Sequence, residues 1–375
     1  MRTILNGNRR RTGRLCRVPS ILVAAAALLS GLVGAAAPSA GAAVPLASVA
    51  GSSPEFNDPG NVLIADQFNN RVIEVDRQHH IVWQFGLGPT DFTARSIVGT
   101  NDAQRVGVLT LMAGTGIPPN AVPSCTASAG CPDDRVILVD PLGHIIWQYG
   151  RFGVAGSGPD ELDTPVQSTW LPNAHVLITD QANERIIEVD LAKRIVWQYG
   201  MTGAVGAGAN QLNNPNSAEL LLNGHILIAD ESNDRAIEVT RDHKIVATFT
   251  AGGTVSGVAF ASRLPNGHTL LTDANNSRAV EVDRNDHIVW EYFTNTDPNS
   301  NPSPQPTRAV RLRNGDTLIS DQFNHRVIEV NRQKAIVFQM GTLNQPGIGG
   351  GLLNGPYDAK VIGDYTGLTP PFKAP

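Results

Sequence analysis

Three short apolar runs recur together six times along this chain, each bounded by Asn, Asp or Gly. In the first copy they occupy 62–65 (VLIA), 72–75 (VIEV) and 81–85 (IVWQF). Richness in Val and Ile, alternation with polar neighbours and flanking turn residues predict β-strands rather than helix. An Arg opens the second run of every copy, at Arg71, Arg135, Arg185, Arg235, Arg278 and Arg326, in steps of 64, 50, 50, 43 and 48 residues. A fourth, less regular run precedes each unit, as at 216–222 and 307–312. It ends in Asn223-Gly224 or Asn314-Gly315, dipeptides that favour a tight hairpin. Four antiparallel strands in a unit of this length make one propeller blade, so the pattern predicts an all-β, six-bladed β-propeller. The run 354–364 follows a Gly-rich lead-in like the others, but no blade comes after it. It is expected to become the innermost strand of blade one, against 62–65, and to close the ring. Blade two carries an insertion, 117–134, rich in Pro, Ser and Ala.

Residues 1–42 do not fit the repeat. Arg9, Arg10, Arg11, Arg14 and Arg17 precede an Ala-rich apolar run, 21–37, and Ala40-Gly41-Ala42 has the form of a cleavage site. This is the layout of a secretory signal peptide; the run is short and Ala-rich for a membrane anchor. Residues 43–60 are then a linker and 61–375 the propeller. Loss of the leader removes six Arg and leaves 23 basic and 34 acidic side chains, a net charge of −11. An acidic chain with an export signal excludes nucleic acid as the partner. Cys125 and Cys131 sit in the blade-two insertion, and in an exported protein their spacing predicts a local disulfide. The expected product is a secreted, periplasmic or cell-surface monomer with no membrane span.

The most specific phrase is D-x-x-N-x-R. It stands at Asp66/Asn69/Arg71, Asp180/Asn183/Arg185, Asp230/Asn233/Arg235, Asp273/Asn276/Arg278 and Asp321/Asn324/Arg326. It resembles the signature of NHL repeats, and the Gly-rich lead-ins 150–165 and 200–215, each ending in Pro, are similar to those of that family. The resemblance covers about 61–364 and implies a six-bladed propeller. Blade two departs from it, with Gly130 where the Asp is expected and Leu138 for the strand Glu. The I-V-W-Q/E ending at Trp83, Trp147, Trp197 and Trp290 is also similar to repeats of secreted quinoprotein-like and arylsulfotransferase-like propellers. Such resemblance implies a fold more than an activity, because these propellers include binding modules as well as secreted lyases and hydrolases. The lyases and sulfotransferases imply His on the innermost strands, and none of the nine His here falls on one.

Residues repeated in every blade are expected to hold the blade: the Asp and Arg as a turn-closing pair, the Trp as wedges between blades. Function is sought where the repeat breaks. Aligned by their distance from the phrase Asp, the inner runs give the quartets 101–104, 166–169, 216–219, 259–262, 307–310 and 357–360. The third position is Ala or Ser throughout, which suits crowding at an axis. Asp102, Gln167, Asn216, Glu219, Arg308, Tyr357, Asp358 and Lys360 break the symmetry and are the candidate ligand-binding residues of an axial channel. The three carboxylates with Asn216 and Gln167 offer oxygen ligands to Ca²⁺; no other metal or cofactor is assigned. As the lining of a water-filled channel, these side chains are expected to contribute little to stability. No nucleophile–base constellation is present, and no catalytic residue is assigned. The chain is therefore expected to bind a protein, peptide, glycan or small ligand on its loop face or in its axial channel. The alternative is a secreted lyase, hydrolase or transferase with a carboxylate-rich axial site.

Overall fold

A computed structural model describes residues 53–364. The leader assigned to 1–42, the stretch 43–52 and the tail 365–375 lie outside the described residues. Among those described are 24 strands and four three-residue 3-10 turns. The strands form six four-stranded antiparallel sheets, arranged as the blades of a propeller. In five blades the strands follow one another from axis to rim. In blade one the innermost strand is the last described strand, Pro356–Val361, paired along Val62–Asp66 with Ala359 opposite Ile64. This is the closure predicted from sequence. Residues 53–60, expected as linker, pack on the ring: the Phe56 ring lies 6.1 Å from that of Trp83, and the Asn57 N–H donates to Glu74 Oε1 at 2.7 Å.

The apolar core is divided into six layers, each between neighbouring blades. Tryptophans of the outer strands wedge these layers. Trp83, Trp147 and Trp197 each donate the indole N–H to a carbonyl of the following blade, Pro141, Leu191 and Arg241, at 3.0, 3.2 and 3.0 Å. A second tie is ionic. The strand glutamates Glu74, Glu188, Glu238, Glu281 and Glu329 are buried, and each meets an Arg of the following blade. Those partners are Arg105, Arg241, Arg263, Arg311 and Arg77 respectively. His175, His225 and His268 complete three of the ties, each with Nδ1 2.7 Å from the carboxylate of its own blade. Blade two replaces the whole device with an apolar one. Leu138 stands for the Glu, Leu109 for the His and Trp170 for the incoming Arg, all in one cluster. Changing the Glu alone would leave a buried Arg without its counter-charge.

The D-x-x-N-x-R phrases close the turns between second and third strands. In blade three Asp180 Oδ2 accepts from Arg185 Nε at 2.7 Å and from Asn183 Nδ2 at 2.9 Å, while Oδ1 accepts the Asp163 N–H of the lead-in at 2.8 Å. One carboxylate thus fixes the turn and the chain arriving from the previous blade. Blade two corrects the sequence reading. Its acid is not lost at Gly130; it comes from Asp133, two residues before the Arg, with Oδ1 2.5 Å from Arg135 Nε. Gly114 pairs with Arg135 where other blades have the Asp, and a Cβ there would lie 2.6 Å from the Asp133 carboxyl carbon. The carboxylate occupies the room that the missing side chain leaves. The insertion folds back through the Cys125–Cys131 disulfide over a small core of Val98, Ile117 and Val122.

Two outcomes follow from the ring and its ties. Truncation after Gly350 removes the inner strand of blade one and uncovers Ile64 and its neighbours. The transition should fall by well over about 10 °C, or cooperative unfolding should be lost, in a calorimetric scan. The second concerns Glu281, which is 2% exposed. Burial alone would raise its pKa, but the His268 hydrogen bond and the charges of Arg311 and Arg332 hold it below the ordinary value of 4.5. A depressed folded pKa contributes stability that is complete above that value and is lost as pH falls through the folded pKa. Glu281→Gln should therefore cost roughly 3–5 kcal/mol at neutral pH in denaturant titrations, and the gap from wild type should close below the ordinary glutamate range. A gap that stays constant with pH would show that the charge of Glu281 is not what ties the blades.

Candidate functional site

Strand geometry determines how the axis is built. Along each innermost strand the first, third and fifth residues of the aligned set turn their backbone N–H and C=O groups toward the axis. The second and fourth place their side chains on one sheet face. Six such edges meet at the centre, and their polar groups must find partners. The second-position side chains supply them. Asp358 accepts the Ala103 N–H of the next blade at 3.1 Å, and Asp102 that of Ser168 at 3.2 Å. Gln167 accepts from Ala218 at 2.6 Å and Ser217 from Ala261 at 3.2 Å. Two fourth-position residues do the same one step further along: Gln104 accepts the Trp170 N–H at 2.7 Å and Glu219 the Arg263 N–H at 2.9 Å.

Arg308 breaks this relay and plugs the axis at its loop end. From blade six it donates to Val166 O of blade three at 3.2 Å, Asn216 Oδ1 of blade four at 3.0 Å and Ala259 O of blade five at 3.1 Å. Its guanidinium lies 5.1 Å from the ring centroids of both Phe260 and Tyr357. Asn216 Nδ2 donates to Tyr357 Oη at 2.9 Å and to Glu231 Oε2 at 2.7 Å, so blades one and four also meet across the centre. Burial pushes Glu231 above its ordinary range, against the opposing Asn216 hydrogen bond and Arg308 charge. It pushes the Tyr357 phenol up to about 12, helped by the Glu231 charge.

Toward the hairpin end the axis opens into a solvent-facing pocket lined by ten residues. Its wall includes all six fourth positions: Gln104, Thr169, Glu219, Ser262, Val310 and Lys360. Gln167, Ser168, Ala218 and Phe260 complete the lining. Lys360 Nζ donates to Asp102 Oδ1 and Ala103 O, each at 2.9 Å, and to Asp358. Burial works against its ammonium, but the two carboxylates outweigh burial and raise its pKa. Asp102 is itself raised, by burial first, with Lys360 opposing. The buried Ser168 hydroxyl has no hydrogen-bond partner among the described residues, as is the case for the hydroxyls of Thr179, Thr272 and Ser320.

The eight residues singled out from sequence therefore fall into three groups. Glu219, Gln167 and Lys360 line the pocket. Asp102 and Asp358 stand beside Lys360, and Asn216, Tyr357 and Arg308 form the plug. The expectation of solvated channel side chains does not hold: Arg308, Asp102 and Asp358 are each 1% exposed and bridge blades. Ser168, Phe260 and Ser262 were not singled out, although they lie in the same quartets. Their neutral side chains gave no signal until the pocket placed them together. Glu231 lies in a turn phrase, and only the fold brings it to the axis. Among the described residues no three His, Cys, Asp or Glu side chains converge as a metal-binding group.

Solved structures with a similar fold include a protein of unknown function from Bacteroides caccae, at 14% identity and TM-score 0.54, covering 79% of this chain and 98% of that one. A streptogramin B lyase is similar at 13% identity and TM-score 0.50, covering 78% of this chain and 82% of that one. No family model and no curated protein matches the chain. At these identities the likeness shows the fold alone.

Because Arg308 satisfies carbonyls of three other blades, Arg308→Ala should cost more than about 2 kcal/mol in urea titrations, since buried hydrogen bonds to a charged group are lost together. A loss within about 0.5 kcal/mol, as for a solvated surface residue, would refute the plug.

Proposed function

We propose that this chain is an exported, NHL-type ligand-binding propeller that uses the axial pocket at its hairpin end and is not an enzyme. The observation that carries the reading is the contrast between repeat and pocket. Turn acids, strand glutamates and wedge tryptophans recur from blade to blade, whereas the six fourth positions carry six different side chains. A purely structural axis needs backbone acceptors at those positions, and Thr169, Ser262 and Val310 appear in no such role. Concave sites with a few convergent polar groups are the usual places for small ligands. The disulfide and the leader-like segment 1–42 support export. No helix among the described residues is long and apolar enough to cross a membrane. The ligand is a small molecule, or the exposed tip of a peptide or glycan.

The carboxylate-enzyme alternative fits less well. Asp102 and Asp358 hold Lys360 and neighbouring N–H groups, and Glu219 on the pocket wall accepts the Arg263 N–H, so all three carboxylates are engaged within the ring. The same consumption of oxygens makes Ca²⁺ a weaker match than a hydrogen-bonding organic ligand.

The test is a thermal-shift screen of the purified chain against amines, carboxylates, sugars, short peptides and divalent cations. Hits are then repeated on Ser262→Phe, which fills the pocket. A ligand that raises the melting temperature of wild type and leaves Ser262→Phe unmoved supports the reading. No hit in any class, or hits that Ser262→Phe keeps in full, would move attention to the loop face.

A further inference from the structure

Resting on that reading, we infer that the pocket takes an uncharged carbonyl group, that of a secondary amide, with the carboxamide N–H groups of Gln104 and Gln167 as donors. Three observations carry this. The first is the state of the two carboxamides. Gln104 Oε1 accepts the Trp170 N–H at 2.7 Å, and Gln167 Oε1 accepts the Ala218 N–H at 2.6 Å. A backbone N–H only donates, so each bond fixes which end of the carboxamide is oxygen. Both side chains line the pocket and are more than nine-tenths buried. What each has left for the pocket is an NH₂ group, a donor that accepts nothing. The backbone task itself asks only for an oxygen: Asp102, Asp358 and Ser217 perform it at second positions and Glu219 at a fourth. The two carboxamides add donors that this task does not use.

The second is charge. The charged side chains at the pocket are engaged within the ring. Lys360 Nζ donates to Asp102, Asp358 and Ala103 O, and Glu219 accepts the Arg263 N–H. Arg308 directs its donors to Asn216 and to carbonyls of other blades. An incoming ion of either sign would displace one of these partners or be desolvated without a counter-charge. An uncharged acceptor avoids both costs.

The third is the opposite wall. In a ring of six, blades two and three face blades five and six across the axis. Gln104 and Gln167 stand on the first pair, Phe260 and Val310 on the second. The pocket therefore has donors on one side and apolar surface on the other, which suits a carbonyl with an alkyl substituent. Thr169 and Ser262 add hydroxyls, which also accept from an amide N–H. The amide belongs to a free small molecule or to a peptide; the recognition chemistry is the same.

The experiment is titration calorimetry of the purified chain with N-butylacetamide, its charged counterparts hexanoate and hexylammonium, and the capped peptide acetyl-tetraalanine amide. Wild type, Gln104→Glu, Gln167→Glu and Ser262→Phe are compared, each with its ligand-free melting curve. N-butylacetamide should bind wild type, with both ions weaker by at least about tenfold because their desolvation is not repaid. Each Gln→Glu change keeps an oxygen for its backbone N–H and exchanges the donor group for a second oxygen. At neutral pH each should weaken the amide by roughly threefold to tenfold, the size of one neutral hydrogen bond. Carboxamides with a backbone role alone would leave the affinity unchanged in both, and that result would overturn the carbonyl assignment. The infrared carbonyl stretch of isotope-labelled N-butylacetamide reads the donors without any variant. Bound to wild type it should lie at lower wavenumber than in an alkane; a stretch as high as in the alkane would overturn the assignment as well. Peptide binding as tight as that of N-butylacetamide assigns the amide to a peptide, and its exclusion assigns it to a free molecule. Hexanoate or hexylammonium binding as well as the amide, and lost in Ser262→Phe, would overturn the carbonyl assignment and leave the pocket reading intact. Absence of binding by every probe here and in the broader screen would remove both.

Discussion

Six sheet edges meet at one axis, and the need to satisfy their backbone groups organises the centre of this molecule. An exposed edge strand is an invitation to association, and a closed ring hides its edges only by crowding them together. The chain resolves the crowding with side chains. Asp358, Asp102, Gln167 and Ser217 each accept a backbone N–H of the following blade, so four of the six inner strands are locked to their successors by a short polar reach. Where the relay stops, at Phe260, the guanidinium of Arg308 crosses the centre and joins blades that are not neighbours. Polar residues at the axis thus bridge blades at one end and line a pocket at the other.

The same logic of one blade holding the next appears at larger radius. Indole N–H groups reach turn carbonyls of the following blade, and buried glutamates receive its arginines. Buried ion pairs are weak evidence for net stability but costly to break halfway. Blade two obeys that asymmetry: it exchanges Glu, His and Arg positions together for Leu138, Leu109 and Trp170. A repeat can therefore tolerate an apolar substitute for its ionic tie, provided all partners change at once.

The division of the axis also explains why a pocket survives in a ring so closely tied. Arg308, Tyr357 and Asn216 fill the loop end, whereas the fourth positions at the hairpin end have less backbone to satisfy. Side chains there are released from the repeat and can diverge. Thr169, Ser262 and Val310 illustrate the result, three different side chains at one aligned position.

By itself the sequence determined the architecture. Strand period, turn dipeptides and the six recurring arginines lead to six four-stranded blades, and the orphan run 354–364 leads to the closure, because these signals are local and repeat until they are unambiguous. The inner-strand register was equally legible, since a period of two allows only one alignment that keeps the Ala/Ser column together. What the sequence could not decide was which side chain meets which across the axis. Arg308 and Asn216 are 92 residues apart, and Lys360 and Asp102 are 258 apart. Their pairing depends on the closed ring, and it turned presumed channel residues into caps and a plug. The acid of blade two was misplaced for a related reason: Asp133 reaches Arg135 from the opposite side of the turn, and only the space above Gly114 shows why it fits. Local pattern encodes elements and their order; the partners of a polar side chain are set by distances that exist only after folding.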